Sequence, residues 1–300
     1  MSQSSEPKLV AIAGATGNAG KELVRAAKKR GLRVRVLVRS EKKLAPIRDC
    51  CDEIKIVQVT QPETLLGALD GADYLVSAVG KTFQNDKISR KAVDLDANVH
   101  LFQEAKKAGV QRVGFISVFT ASVDHPSYMI RLKGEAEKTL KSIGVPYVIV
   151  QPSGFFSDMW EVFEMCQKGT YWSIGDGKIL FNPISLLDLG AFTIDALLDD
   201  TKENQTFPVG GPDVFEMREL ANIAGRVLER KVKIRTLPLW LCRLGVALVK
   251  PFNKNAGELG EFFVGNIVYA EQNGKDMSIP KTGTHHLEDY FRERYLAEQK

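Results

Sequence analysis

The sequence predicts an α/β protein: a doubly wound parallel sheet with a smaller C-terminal lobe. Three observations predict it. Short apolar runs alternate with helical segments through the first 151 residues. The first apolar run ends in a glycine-rich turn that opens a helix. After Gln151 this regularity breaks down into a stretch punctuated by Gly and Pro.

Each element follows in order. Lys8–Ala13 is an apolar run of the kind a buried parallel strand requires, and a helix from Ala19 to Arg30 is closed by Gly31. Arg33–Val38 reads as the second strand, Glu41–Arg48 as a polar helix and Ile54–Val59 as the third strand. A short helix at Glu63–Leu69 precedes the fourth strand, Ala72–Val79. A long helix from about Lys91 to Ala108 stops at Gly109. Arg112–Val118 is the fifth strand, Arg131–Ile143 a helix and Pro146–Gln151 the sixth strand. Strands separated by helices imply right-handed crossovers in one parallel sheet.

The expected division is a tail over 1–7, a dinucleotide-binding core over 8–151 and a mixed segment over 152–300. Of the last, about 183–212 completes the sheet and the remainder forms a substrate lobe. Helices are expected near Leu187–Leu198, Met217–Leu228 and Leu287–Leu296, the last started by His285-His286.

Composition excludes several classes. With 44% hydrophobic and 26% charged residues, the 300-residue chain is neither disordered nor fibrous. The net charge of +4 is mild and forms no basic stripe, which argues against nucleic acid. Four scattered cysteines, Cys50, Cys51, Cys166 and Cys242, read as free thiols, and four histidines show no metal-ligand spacing. No metal is expected. The polar stretch Met1–Pro7 has no signal core, so the expected compartment is the cytoplasm, or an organelle if a leader has been removed. Leu237–Val249 is too short to span a bilayer and reads as an amphipathic helix over a core or cleft. A monomer or homodimer is expected, with no transmembrane segment.

The glycine turn Gly14-Ala15-Thr16-Gly17-Asn18-Ala19-Gly20 carries the most chemistry. Gly14 permits a tight turn, Gly17 lets backbone approach a pyrophosphate and Gly20 lets the helix pack close. The helix N-terminus, from Asn18 and Ala19, then supplies N–H donors and a favourable dipole. This G-x-x-G-x-x-G spacing resembles the extended and atypical short-chain dehydrogenases/reductases. At the end of the second strand an acid would accept the ribose hydroxyls of NAD, but the chain has Arg39, with Lys42 and Lys43 beyond. A guanidinium pairs with a 2′-phosphate, so NADPH is the expected cofactor. Ser77-Ala78-Val79-Gly80 is small enough to pass beside a nucleotide, and Pro152-Ser153-Gly154-Phe155 sits where the nicotinamide would lie. Both are equally ordinary strand exits. Val59-Thr60-Gln61 offers no acid to adenine, a departure from the family.

That resemblance implies a Tyr and a Lys four residues apart on a helix, with a Ser on the strand before. The candidates here are Ser117, Tyr128 and Lys133. Tyr128 and Lys133 are five apart, about 140° around a helix, so the usual dyad is absent. Lys133 is either a ribose ligand and proton donor or a surface lysine paired with Glu137. Ser117 either joins the chemistry or satisfies backbone. Asp94 and Asn98 read as solvent or capping groups, and the Phe155–Met165 aromatics as core or cleft lining.

Ala108-Gly109-Val110 and Gln151-Pro152-Ser153, together with the glycine turn, resemble the NmrA-like branch of atypical short-chain dehydrogenases. Gly175-Asp176-Gly177-Lys178, Pro183-Ile184-Ser185, Phe207–Pro212 and Val268–Glu271 are similar to divinyl chlorophyllide 8-vinyl reductase-like proteins. The resemblance implies an NADPH-dependent reductase acting on a hydrophobic conjugated or carbonyl-bearing small molecule. The alternative is a non-catalytic NADP(H)-sensing regulator of the NmrA type. A membrane- or complex-associated factor, resting on Leu237–Val249, is the remaining reading.

Overall fold

Five consecutive buried residues, Leu9–Ala13, form β1 at the centre of the sheet, as an apolar run without alternation requires. The computed structural model describes residues 6–81 and 88–299; of the expected tail, residues 1–5 lie outside them. The strands are β1 (Leu9–Ala13), β2 (Arg33–Val38), β3 (Glu53–Ile56), β4 (Tyr74–Ser77), β5 (Arg112–Ile116), β6 (Tyr147–Pro152), β7 (Thr170–Ile174), β8 (Leu180–Phe181), β9 (Gln205–Val209), β10 (Phe215–Glu216) and β11 (Lys233–Leu237). The α-helices are α1 (Asn18–Lys29), α2 (Ala97–Lys107), α3 (Tyr128–Ser142), α4 (Phe156–Gln167), α5 (Leu186–Leu198), α6 (Leu220–Val227), α7 (Leu239–Val249), α8 (Lys254–Gln272) and α9 (Leu287–Glu298).

Seven strands form one sheet in the order β3-β2-β1-β4-β5-β6-β9, with every pairing among the first six parallel. Helices cover both faces. On β5, Phe115 meets Phe102 of α2 edge to face at 5.3 Å. A Cβ on its neighbour Gly114, pointing to the other face, would stand 3.5 Å from Leu197 of α5.

The chain divides into two compact units. Met1–Ser117, Leu132–Gln151 and Leu189–Phe207 make the first, and Val118–Arg131, Pro152–Asp188 and Pro208–Lys300 the second. In the second, Phe156, Trp160, Phe163, Phe215, Leu287 and Phe291 form a core among α4, α6 and α9, and Trp160 stacks on Phe163 at 4.6 Å. Of the aromatic series, Phe156, Trp160 and Phe163 are therefore core.

Several elements differ from expectation. The helix over Glu41–Arg48 is two 3-10 turns, Glu41–Lys43 and Ala45–Cys50, because Pro46 removes a helical donor. Glu63–Leu69 contracts to a 3-10 turn at Pro62–Leu65, again led by proline. The third strand is β3, ending at Ile56. The long helix from Lys91 contains a π turn, Ala92–Asp96, before α2. β11 is a strand where no element was expected, pairing parallel with β7. α7 has no fully buried residue, but its Leu239 packs against the small core of Ile179, Ile267 and Ala270.

Candidate active site

The glycine turn is built as its spacing requires. Gly14 has φ 80°, in the left-handed region, and a Cβ there would stand 2.8 Å from the Ala78 carbonyl. The Ser77–Gly80 exit of β4 therefore runs directly against it. The Gly17 N–H donates to Gly14 O at 3.0 Å and closes the turn around Ala15 and Thr16. Gly17 and Asn18 are exposed, while Gly20 is buried. A Cβ on Gly20 would fall 2.0 Å from Gly14 O, so α1 packs on the turn itself.

The N-terminus of α1 is left open to an anion. Gly17 at the cap has no side-chain acceptor, and the first turn carries no acid. The N–H groups of Asn18, Ala19 and Gly20 have no acceptor within the helix. A pyrophosphate fits this donor set, and the positive end of the helix dipole favours it. Arg39, exposed, follows the last residue of β2, the strand hydrogen-bonded to β1.

Lys133 is not a surface lysine. Its ammonium donates to Val79 O at 2.9 Å and Ile116 O at 3.4 Å, where β4 and β5 end, and lies 4.9 Å from the Phe115 ring centroid. Burial pushes the Lys133 ammonium below its ordinary pKa, and the carboxylates of Asp94 and Glu137 oppose the shift. A Cβ on Gly80 would meet Asp94 Oδ1 at 3.2 Å and Lys133 Nζ at 3.6 Å, so both groups flank the exposed Gly80 backbone.

Asp94 and Asn98 are buried, contrary to the expectation of solvent or capping groups. Asp94 sits in the π turn and accepts the Lys81 N–H at 3.2 Å, with Arg90 at 3.6 Å. Burial raises its pKa, opposed by Lys133, Arg90 and the Lys81 N–H. Asn98 accepts the Ser77 hydroxyl at 2.6 Å and donates to Val79 O and Asp94 O at 3.3 and 2.9 Å. It fixes the backbone against which Lys133 is set. Sequence reasoning missed this pair, although both lie on the same i, i+4 stripe as the buried Leu101 and Ala105.

Ser117 donates to the buried Glu137 Oε1 at 2.5 Å, an oxygen that also accepts Gln151 Nε2 at 2.7 Å. Lys141 reaches the other oxygen at 3.4 Å. Glu137 is thus held by Ser117, Gln151 and Lys141, and the hydrogen bonds of Lys133 go to strand-end carbonyls. Tyr128 opens α3 in the second unit, its N–H 3.4 Å from Glu261 Oε1 and its ring 5.7 Å from Arg131. Pro152, Ser153, Gly154 and Phe155 also fall in the second unit. There the Ser153 hydroxyl donates to Asn182 O at 2.6 Å, and Gly154 O accepts the Ile184 N–H at 2.9 Å. His285 and His286 pair with Asp188 and Asp213, and His286 caps α9.

A sheet of this topology with an open glycine turn and a half-buried lysine at the strand ends defines a dinucleotide-binding α/β protein. A family model described as NAD(P)H-binding matches residues 14–200, more than half of the chain. The chain belongs to this family, in the NmrA-like branch of the atypical short-chain dehydrogenases/reductases. It is 27% identical over 232 residues to the photosystem II assembly factor Ycf39 of Guillardia theta, covering 77% of this chain and 73% of that protein. To the divinyl chlorophyllide a 8-vinyl-reductase of Arabidopsis thaliana it is 27% identical over 317 aligned positions, 94% of this chain and 75% of that one. Its fold matches the NADPH-dependent quinone oxidoreductase QOR2 of Escherichia coli complexed with NADPH. That match has a TM-score of 0.78 over 95% of this chain and 99% of the other, at 17% identity. Among the described residues no helix is long and apolar enough to cross a membrane.

Proposed function

We propose that the protein is an NADPH-dependent reductase delivering hydride to a hydrophobic conjugated or carbonyl-bearing small molecule. The observation that carries this reading is Lys133: a half-buried ammonium with a lowered pKa, anchored on two strand-end carbonyls beside the exposed Gly80. NADPH, when bound, supplies the hydride. The chain's own residues do the rest. The glycine turn and the first N–H groups of α1 hold the pyrophosphate, and Arg39 pairs with the 2′-phosphate where an acid would repel it.

Two of the three Lys133 protons go to Val79 O and Ile116 O, which leaves the third for a ribose hydroxyl or the substrate oxygen. A lowered pKa makes that ammonium a better acid near neutral pH, as a general acid requires. Ser117 serves here as a positioning group, through Glu137 on the same helix as Lys133.

A second reading, an NADP(H)-binding protein without turnover, is favoured by one observation. The Ser117 hydroxyl is committed to Glu137 and no Tyr–Lys dyad is present. NADPH consumption over a panel of quinones and α,β-unsaturated carbonyls separates the two. The reductase reading expects turnover that Lys133→Ala lowers about a hundredfold or more, with NADPH affinity changed only modestly. Tight NADPH binding without consumption on any acceptor would establish the second reading instead.

A further inference from the structure

We propose that the apolar face of α7 rests in the interfacial layer of a lipid bilayer bearing anionic headgroups, held there by the basic residues around it. α7 carries the sequence LWLCRLGVALV, and no residue in it is buried. One side is half-buried: Leu239, Cys242 and Val246. It faces α8, where a Cβ on Gly260 would stand 2.6 Å from Val246. The other side is open to solvent. Trp240 is 67% exposed, Leu248 62%, and Leu241 and Leu244 more than 40%. At about 100° per residue these four fall within an arc of roughly 100° that contains no polar side chain. Phe252, just beyond the helix, is 92% exposed. A contiguous apolar face of this kind marks a binding surface rather than a surface meant for water.

Charge selects the occupant. Between Arg230 and Lys254 the chain carries seven Lys and Arg residues and no Asp or Glu. The whole chain has a net charge of +4, so the remainder is net negative and, contrary to the expectation of a dispersed charge, the positive charge is concentrated here. Among the described ion pairs, Lys250 is the one member of the seven with a carboxylate partner, Glu261. Arg230 bonds to the Cys166 and Gln167 carbonyls, which leaves its charge in place. On β11, Lys233, Ile234 and Arg235 are exposed, and Arg235 lies 5.3 Å from the ring of the half-exposed Trp172. Trp and Leu on one face with Lys and Arg at its border is the composition of a helix lying in a membrane interface. Each basic residue near an anionic leaflet adds to the attraction.

Length sets the orientation. Eleven residues span about 16 Å, half of a hydrocarbon core, so the helix lies in the plane of the bilayer and does not cross it. A second copy is a poorer occupant, because a two-fold interface centred on this face would set the basic belt against itself.

The test uses the full chain in a flotation assay with phosphatidylcholine vesicles and with phosphatidylcholine–phosphatidylglycerol vesicles, at low and high salt. The expected result is flotation with the anionic vesicles, weakened by salt and by the neutral composition. The double substitution Leu244→Glu and Leu248→Glu should lower the bound fraction about tenfold or more, and Lys233→Glu with Arg235→Glu should act in the same direction. NADPH titration, which reports on the first unit, and circular dichroism confirm that each variant is folded. A folded protein that ignores anionic vesicles overturns the proposal. So does vesicle binding indifferent to the α7 pair. Light scattering that shows a dimer dissociated by that pair would assign the face to a second copy instead.

Discussion

Lys133, half-buried, and Asp94, buried, illustrate how two opposite charges drawn out of water set each other's chemistry. Burial alone drives the ammonium towards neutrality and the carboxyl towards protonation, and each charge resists the loss of the other. The sign of a substitution follows. Asp94 raises the Lys133 pKa by favouring its charged form, so Asp94→Asn lets the ammonium lose its proton at a lower pH. If Lys133 is the proton donor, the alkaline limb of kcat/KM moves to lower pH in Asp94→Asn, as a pH–rate profile for NADPH oxidation would read. A profile that does not move means that Asp94 is already neutral in the folded protein and tunes nothing. Lys133 was legible in the sequence as a choice between two roles, and its bonds to Val79 and Ile116 decide against the surface pairing. Asp94 was not, because a polar residue in a polar-looking helix reads as solvated unless the apolar stripe is followed through it. Its place in a π turn is a backbone detail that no residue pattern here announces.

At the scale of elements, the three glycines of the first turn do different jobs, and alanine separates them. On Gly20 a Cβ would lie 2.0 Å from Gly14 O and 2.8 Å from Ala15 Cα, backbone atoms that cannot yield unless α1 moves off the turn. Gly20→Ala should therefore destabilise the fold by about 1–3 kcal/mol or more, as overpacked sites do. On Gly17 the nearest atom would be Gly14 O at 3.3 Å, and the residue is exposed. Gly17→Ala should leave urea unfolding nearly unchanged and, on the proposed cofactor site, weaken NADPH binding about tenfold, because the added methyl would stand where backbone approaches phosphate. Equal stability losses in the two variants would show that the turn is scaffold alone. The same residue type explains what the sequence hid. α8 escapes a reading by propensity because Gly257, Gly260 and Gly265 each lower helix preference. Packing supplies their reason: a Cβ on Gly257 would strike Lys250, and one on Gly265 would stand 3.0 Å from Ser127. Buried strands such as β1 were legible because burial on both faces leaves an uninterrupted apolar run.

For the molecule as a whole, local pattern loses its hold where the chain returns. The first unit gives up Val118–Arg131, inside the expected core, to the second, an exchange set by long-range packing that short windows do not contain. The nucleotide offers a global readout of this unit, since a ligand that binds the folded state alone stabilises it by mass action. At about a hundredfold excess over Kd the gain is about 2.7 kcal/mol. For a chain of this length each kcal/mol moves Tm by about 2 °C, so saturating NADPH should raise Tm by about 5 °C. NADH at the same concentration should raise it less if Arg39 pairs with the 2′-phosphate, as proposed above. Arg39→Asp changes an exposed side chain, so the Tm without nucleotide should stay nearly constant. Its NADPH-dependent rise should fall to the level NADH gives or below, as a carboxylate repels the phosphate that a guanidinium attracts. Differential scanning fluorimetry with both nucleotides on both proteins reads all four values. Equal shifts for NADPH and NADH in the parent chain, or an undiminished NADPH shift in the variant, would remove Arg39 from the phosphate site and the NADPH preference with it.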